Sequence, residues 1–154
     1  LGHARGRRRS EVRADVIVDD DAKRLLLLCH DGAWDRLHQA ASAAATAASC
    51  GWRVDLVFYH EALEKLLDGR LDEAPEGGRL AEVVDRADER GVVGPAALFD
   101  AARRTGRCRV LACSASLGMI GYDPADVDPE RVDEIVGWPT TIALLERADH
   151  ALYL

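Results

Sequence analysis

Short apolar segments alternate with helical segments along this chain, and that alternation limits its fold more than any other feature. KRLLLLC, residues 23–29, is an apolar run between charged residues and the polar HDG, which predicts a buried strand. RVDLVFYH, residues 53–60, is β-branched and aromatic and predicts a second strand. CRVLAC, residues 108–113, predicts a third, and the terminal HALYL a final one.

Helical patterns fill the segments between these strands. Residues 36–50 are rich in alanine at helical spacing, and Gly51 follows as a stop signal. In DPERVDEIVG, Asp128 as N-cap and Pro129 at the first helical position predict another helix. The other predicted helices cover residues 62–67, 80–91, 95–105, 139–147 and the start of SASLGMIG after residue 113.

This order of elements predicts the fold class. Strands that alternate with helices of 10 to 15 residues are typical of βαβ units and a largely parallel sheet with helices on both faces. We therefore predict an α/β fold, a three-layer α/β/α sandwich around a mostly parallel sheet of about five strands. VRADVIV, residues 12–18, alternates in polarity and is a weaker candidate for an added edge strand.

Length and charge divide the chain into a leader and one domain. We expect residues 1–22 to be an N-terminal leader, basic and then acidic, and residues 23–154 to form a single domain. The net charge of −7 combines +4 in residues 1–13 with −11 in the remainder. An acidic body repels phosphate backbones, so we expect no nucleic-acid partner. No apolar run approaches the roughly 20 residues of a membrane helix, so we expect no membrane partner either.

The four cysteines are expected to be reduced thiols. They stand at positions 29, 50, 108 and 113, without a CxxC pair. The sequence has no signal-peptide pattern, and a domain of this size can build a core without disulfides, so we expect a cytoplasmic protein. His30 and His60 end adjacent strand-helix steps, but the paired ligand spacing of zinc sites is missing, and we predict no metal site.

Candidate site residues follow from the topology. In open parallel sheets, ligands bind beyond the carboxyl ends of the strands. The first predicted strand ends at Cys29, His30, Asp31 and Gly32, and the second at Tyr59, His60 and Glu61. The third ends at Cys113, followed by Ser114 and Ser116. Trp138 lies in the last loop, before Pro139, and is either a wall of the same pocket or a structural aromatic.

Cys113 is the candidate reactive thiol. It ends a buried strand and directly precedes a helix, whose first amide groups stabilise an anion such as a thiolate or persulfide. Ser114 and Ser116 are candidate capping residues with hydroxyls that could donate to sulfur. The alternative is that Cys113 is a small buried apolar residue. Cys29 is a resolving thiol, a pocket wall or part of the core.

Several familiar sites are excluded. GxGxxG after a strand, GxxxxGK[ST] and GxSxG do not occur, so dinucleotide, nucleoside triphosphate and α/β-hydrolase chemistry lack their loops. No pair of carboxylates has a pattern that indicates acid/base catalysis. We therefore predict no cofactor.

The order of these stretches resembles the DsrE/DsrF/TusD-like (DsrEFH-like) family, especially its peroxiredoxin-like branch. The resemblance covers residues 23–154, interrupted by residues 61–94. It rests on LLLLCHDGAWDRLHQAASAAATAASCGWRVDLVFYHEAL, CRVLACSASLGMIGYD, VDEIVGWPTTIALLERA and HALYL. The family implies a three-layer sandwich assembled into trimers or hexamers. In sulfur-relaying members, a cysteine at the position of Cys113 carries a persulfide between a donor and an acceptor protein.

Two functions follow from the residues and the resemblance together. The first is a sulfur carrier or sulfurtransferase-like protein, with the persulfide on Cys113, helped by Ser114 and Ser116 and faced by Cys29 and His30. The alternative is a non-catalytic DsrE-like module that binds a small ligand or assembles, with Cys113 lining a strand-end pocket. A disulfide switch between Cys29 and Cys113 would require Cα atoms within about 7 Å.

Overall fold

The computed structural model describes residues 20–154. The predicted leader up to residue 19, including the candidate edge strand over residues 12–18, lies outside the described residues. The strands are Arg24–Cys29 (β1), Arg53–Phe58 (β2), Cys108–Cys113 (β3), Glu134–Val136 (β4) and His150–Tyr153 (β5). The α-helices are Trp34–Ser49 (α1), His60–Leu67 (α2), Gly78–Glu89 (α3), Pro95–Arg104 (α4), Ser114–Ile120 (α5) and Trp138–Arg147 (α6), and Pro124–Asp126 is a short 3-10 helix.

The five strands form one sheet in the order β4-β3-β2-β1-β5, with every pair parallel. Parallel neighbours require a crossover connection, which the intervening helices supply. The predicted three-layer α/β/α architecture with a five-stranded sheet is thereby confirmed. Within residues 20–154, none of the helices is long and apolar enough to cross a membrane.

Alternation of side chains gives the sheet two different faces. One face, here called the helix-rich face, carries Leu27, Leu56 and Val110 and packs against residues of α1, α2, α4 and α5. The other, the α6 face, carries Leu28, Val57 and Leu111. Among the described residues, the partly buried apolar groups packed on the α6 face are Leu144 and Ala148, at the end of α6. The core is therefore deep on one side and thin on the other.

The helix predicted over residues 128–137 is wrong. Asp128 instead caps a turn, where its carboxylate accepts from the Glu130 amide at 2.9 Å, and Glu134–Val136 forms β4 beside β3. Asp133 anchors the junction, since its amide donates to the Val110 carbonyl at 2.8 Å and its carboxylate accepts from the Val110 amide at 2.7 Å. The free edge of β3 offered backbone partners that outweigh the local helical pattern.

Candidate functional site

A row of side chains crosses the carboxyl ends of the central strands. The register of β1, β2 and β3 aligns Cys29, Phe58 and Ala112. One residue further along the chain lie His30, Tyr59 and Cys113, and Cys113 pairs directly with Val136 of β4. Neighbouring strands lie about 4.8 Å apart, so Tyr59 is the immediate neighbour of Cys113 and stands between it and His30.

Cys113 joins β3 directly to α5. It is the N-cap residue of that helix, with extended backbone angles, and is only 4% exposed. Its side chain lies on the α6 face with Leu111 and Tyr59. The predicted capping roles of Ser114 and Ser116 are wrong, because the strand turns into the helix without a loop and no side chain caps it. Ser114 is the exposed first helical residue, whereas Ser116 is buried.

Aromatic rings surround this end of the sheet. The His30 ring stacks on Tyr59, with centroids 4.4 Å apart, and on Tyr153 of the edge strand β5, at 4.7 Å. The Trp138 ring, 47% exposed at the start of α6, lies 5.7 Å from Tyr59. We call His30, Tyr59, Tyr153 and Trp138 the aromatic cluster. The structure therefore brings Cys113, His30 and Trp138 to one region, as the sequence predicts.

Two buried polar atoms of the aromatic cluster have no hydrogen-bond partner, the Tyr59 hydroxyl and His30 Nε2. Burial raises the pKa of Tyr59, and a polar contact with the Thr141 side chain partly opposes this. That contact does not meet the geometry of a hydrogen bond, so the phenol keeps its proton and remains able to donate it. Burial, and then the neighbouring His60, lower the pKa of His30. An unpaired buried polar group costs about 1–3 kcal/mol, and such groups in folded proteins point to a ligand or a strained functional site.

His60 approaches the cluster from outside. Its ring centroid lies 6.2 Å from that of His30, while its side chain is exposed. The residue has φ of 43°, in the left-handed region that non-glycine residues rarely adopt. This backbone conformation allows the chain to pass directly from Tyr59 into α2. His60 therefore lies beside the row formed by His30, Tyr59 and Cys113 but is not part of it.

Cys29 does not face Cys113. It lies in the helix-rich core, on the opposite side of the sheet, and is 1% exposed. Burial, with a smaller contribution from Cys108, raises the pKa of its thiol to about 12. Strand β2 separates the two cysteines, so their Cα atoms lie about 10 Å apart, beyond the roughly 7 Å that a disulfide bridges. The predicted place of Cys29 in the wall facing Cys113 and the disulfide switch are both wrong, because residues at the same edge of a sheet can point to opposite faces. His30, the other predicted member of that wall, does lie on the face of Cys113.

Asp31 also lies outside the site. Its carboxylate accepts a hydrogen bond from the Ala33 amide at 2.8 Å, at the turn before α1. It lines a different cavity of about 300 Å³, together with Glu61 and Lys65. Within residues 20–154, no group of three or more His, Cys, Asp or Glu side chains is arranged to hold a metal ion.

Tyr153 is a functional candidate that the sequence analysis missed, and Tyr59 is one that it places at a strand end without a role. Tyr59 shares the alternation of Val57, which indicates its face, but only the register of β2 against β3 places it beside Cys113. Tyr153 can be assigned to the site only from the pairing of β5 with β1, where Tyr153 lies opposite Leu28. Both assignments require the order of the strands in the sheet, which local sequence does not encode.

Comparisons with known proteins support the fold alone. No protein-family model matches the chain, and no curated protein matches it. Among solved structures it is similar to MTH1491 from Methanobacterium thermoautotrophicum, a protein of unknown function. The TM-score is 0.52 at 15% sequence identity, over 86% of this chain and 99% of that chain. At this identity the likeness shows a shared architecture and carries no activity across.

His60 offers a test of the electrostatics of the cluster. We expect His60→Gln to raise the pKa of His30 but to leave it below the ordinary value of 6.5, because burial is the larger cause. A lowered folded-state pKa means that the unfolded chain binds the proton more tightly. The titration of His30 therefore lowers the free energy of unfolding of the wild type as the pH falls below about 6.5. In His60→Gln we expect this decrease in stability to be smaller.

The measurement is a ¹H–¹³C NMR titration of the histidine rings. His150→Gln is the matched control, because His150 lies at the other end of the sheet against Trp52. A His30 pKa that does not respond to His60→Gln, or that responds equally to His150→Gln, would contradict the assignment.

Proposed function

We propose that this chain is a sulfur carrier of the sulfurtransferase-like type, which relays sulfane sulfur as a persulfide on Cys113. The observation that carries the proposal is the position of Cys113 beside Tyr59, whose buried hydroxyl has no hydrogen-bond partner. The resemblance to DsrE/DsrF/TusD-like proteins adds support. The other buried cysteines are poor candidates, because burial raises the pKa of both Cys29 and Cys108 to about 12.

The transfer is a balanced exchange of thiols. The Cys113 thiolate attacks the outer sulfur of a donor persulfide, R–S–SH, and forms a new S–S bond while the donor's S–S bond breaks. The leaving thiolate takes up the proton that Cys113 released, and no net oxidation occurs. In the second step an acceptor thiolate attacks the outer sulfur of the Cys113 persulfide and restores the Cys113 thiol.

Tyr59 is the group suited to stabilise the persulfide. As a protonated phenol one strand away, its hydroxyl can donate to an anionic outer sulfur and so gain the partner it lacks. The stacked His30 ring positions Tyr59 from the far side. Cys113 is only 4% exposed, so its sulfur is also shielded from bulk water, which protects a reactive persulfide between the two steps.

The burial of Cys113 also favours a second function of a different class. A cysteine that is only 4% exposed suits the lining of a small-ligand site in a non-catalytic binding or assembly module. The rate of alkylation separates the two. A fast-reacting Cys113 supports the carrier, and a thiol that reacts as slowly as buried Cys29 supports the binding module.

We further propose a homo-oligomer, a trimer or hexamer as the family resemblance implies, located in the cytoplasm and served by separate donor and acceptor proteins. Helix α6 and strand β5 expose a set of large apolar side chains, which we call the α6–β5 patch. It consists of Trp138, Ile142 and Leu145 of α6 and Tyr153 of β5, each between 44% and 63% exposed. Large apolar side chains exposed together on one side of a protein typically mark an interface. Its closeness to the aromatic cluster would bring a second copy near Cys113.

The primary test is persulfide labelling of Cys113. After incubation with a persulfide donor, we expect tag-switch labelling of the wild type and a loss of more than about tenfold in Cys113→Ser. Cys50→Ser is the matched control, because Cys50 is exposed and lies at the end of α1. This variant retains Cys113, so we expect it to be labelled like the wild type. Equal labelling of Cys113→Ser and wild type would refute the carrier.

Tyr59→Phe separates a functional hydroxyl from a structural one. Removing an unpaired buried hydroxyl should raise the free energy of unfolding by about 1–2 kcal/mol, while the Cys113 persulfide should decay several-fold faster. Urea denaturation and persulfide lifetime measure the two effects. Tyr122→Phe is the control, because the Tyr122 hydroxyl donates to Asp68, and it should lower stability and leave persulfide lifetime unchanged. A destabilised Tyr59→Phe would contradict the assignment.

The α6–β5 patch makes the proposed assembly testable. We expect Ile142→Asp to convert the oligomer to monomer, because a carboxylate would lose its hydration at the interface. Light scattering coupled to size exclusion measures the mass. Val83→Asp on α3, 38% exposed, introduces the same charge away from the patch and should leave the oligomer intact. A wild-type monomer would refute this part of the proposal.

A further inference from the structure

The amino ends of the central strands hold a cavity of about 290 Å³ that the proposed sulfur chemistry does not use. Four arginines and one aspartate supply its charged lining, a net formal charge of +3, in a chain whose overall charge is −7. These residues are Arg24, Arg53, Arg107, Arg109 and Asp55. We call this space the arginine cavity.

The arginine cavity belongs to the α6 face. Arg24 alternates with Leu26 and Leu28, Arg53 with Val57, and Arg109 with Leu111, so their side chains leave the sheet on the side where α6 packs. The apolar residues of this face lie further along each strand, where Leu144 and Ala148 cover them. The chain that follows α6 reaches the amino end of β1, where the Asp149 amide donates to the Arg24 carbonyl at 3.0 Å and the Asp149 carboxylate accepts from the Arg24 amide at 2.8 Å.

Only part of this positive charge is neutralised. Asp55 pairs with Arg109 through two contacts of 2.8 Å, from Nε and Nη2. Two longer ion pairs join Glu134 to Arg109 at 3.7 Å and Asp20 to Arg24 at 3.9 Å. Within residues 20–154, neither Arg53 nor Arg107 forms an ion pair with a carboxylate. Arg107 donates to the Gly51 carbonyl at 3.0 Å, and Arg53 Nη2 is buried without a hydrogen-bond partner.

An unpaired buried guanidinium nitrogen among three other arginines is unfavourable unless an anion joins them. Burying a donor without a partner and bringing like charges together both raise the free energy of the folded chain. The planar, forked guanidinium group matches phosphate oxygens through paired hydrogen bonds, and several such groups around one cavity match a multiply charged anion better than a single carboxylate. A cavity of about 290 Å³ admits a group of diphosphate size.

We propose that the arginine cavity binds the phosphate or diphosphate group of a small molecule, with Arg53 and Arg107 as its principal donors. The site is independent of Cys113, because a six-residue strand separates the two ends of the sheet by about 17 Å. The acidic surface of the remaining chain disfavours an extended nucleic-acid partner, which leaves a small phosphorylated ligand as the occupant.

Isothermal titration calorimetry with inorganic pyrophosphate at low ionic strength tests the proposal. We expect saturable binding to the wild type, weakened about tenfold in Arg53→Gln and in Arg107→Gln, since each loses charged hydrogen bonds. Arg104→Gln removes an equal charge from the exposed side of α4 and should bind like the wild type. Cys113→Ser should also bind normally, which separates this site from the proposed sulfur chemistry.

Arg53→Lys is the control for a folding defect in Arg53→Gln. It retains the positive charge, so we expect a melting temperature near that of the wild type with an affinity between those of wild type and Arg53→Gln. Parallel titrations with inorganic phosphate and ADP identify the source of the group, because tighter binding of ADP than of pyrophosphate indicates a nucleotide. Absence of saturable binding at millimolar pyrophosphate, or equal affinity in wild type, Arg53→Gln and Arg107→Gln, would overturn the proposal.

Discussion

The parallel register of β1, β2 and β3 is the constraint on which the rest of the structure depends. These strands are buried on both faces over most of their length, so the polarity of a residue does not indicate its side of the sheet. Only the alternation of side chains along each strand does. A slip of one residue in β3 would move Cys113 into the helix-rich core and bring Ala112 to its place beside Tyr59. The candidate site is therefore a consequence of strand pairing rather than of any local motif.

The α6 face has two chemically distinct ends, and the position of α6 explains why. Leu144 and Ala148 cover the apolar residues of the strands, and Trp138 at the start of the helix reaches Tyr59 at their carboxyl ends. At the amino ends of the same strands, arginines replace the apolar side chains. One thinly covered face thus carries a thiol with an aromatic cluster at one end and a set of cationic side chains at the other.

Local sequence predicted the elements well where they were long and periodic, and poorly where tertiary pairing decided. The buried strands and the alanine-rich α1 follow from apolar runs and glycine stops, and the α/β class follows from their order. Glu134–Val136 was mistaken for helix because a three-residue strand has no periodicity of its own and exists only through pairing with β3. Cys113 follows from its place at a strand end, whereas the position of Tyr59 beside Cys113 and the exclusion of Cys29 require strand order and register.

The distribution of unsatisfied polar atoms gives the two proposals a common basis. Within residues 20–154, three buried side-chain atoms have no partner, and all three belong to residues on the α6 face: His30 Nε2, the Tyr59 hydroxyl and Arg53 Nη2. At about 1–3 kcal/mol each, they offset much of the 5–15 kcal/mol by which a typical domain is stable. The helix-rich face, with its deep apolar core, contains none of them. A chain that keeps such groups on one face only is expected to satisfy them there with atoms from outside itself, whether a sulfur species, an anion or a second copy.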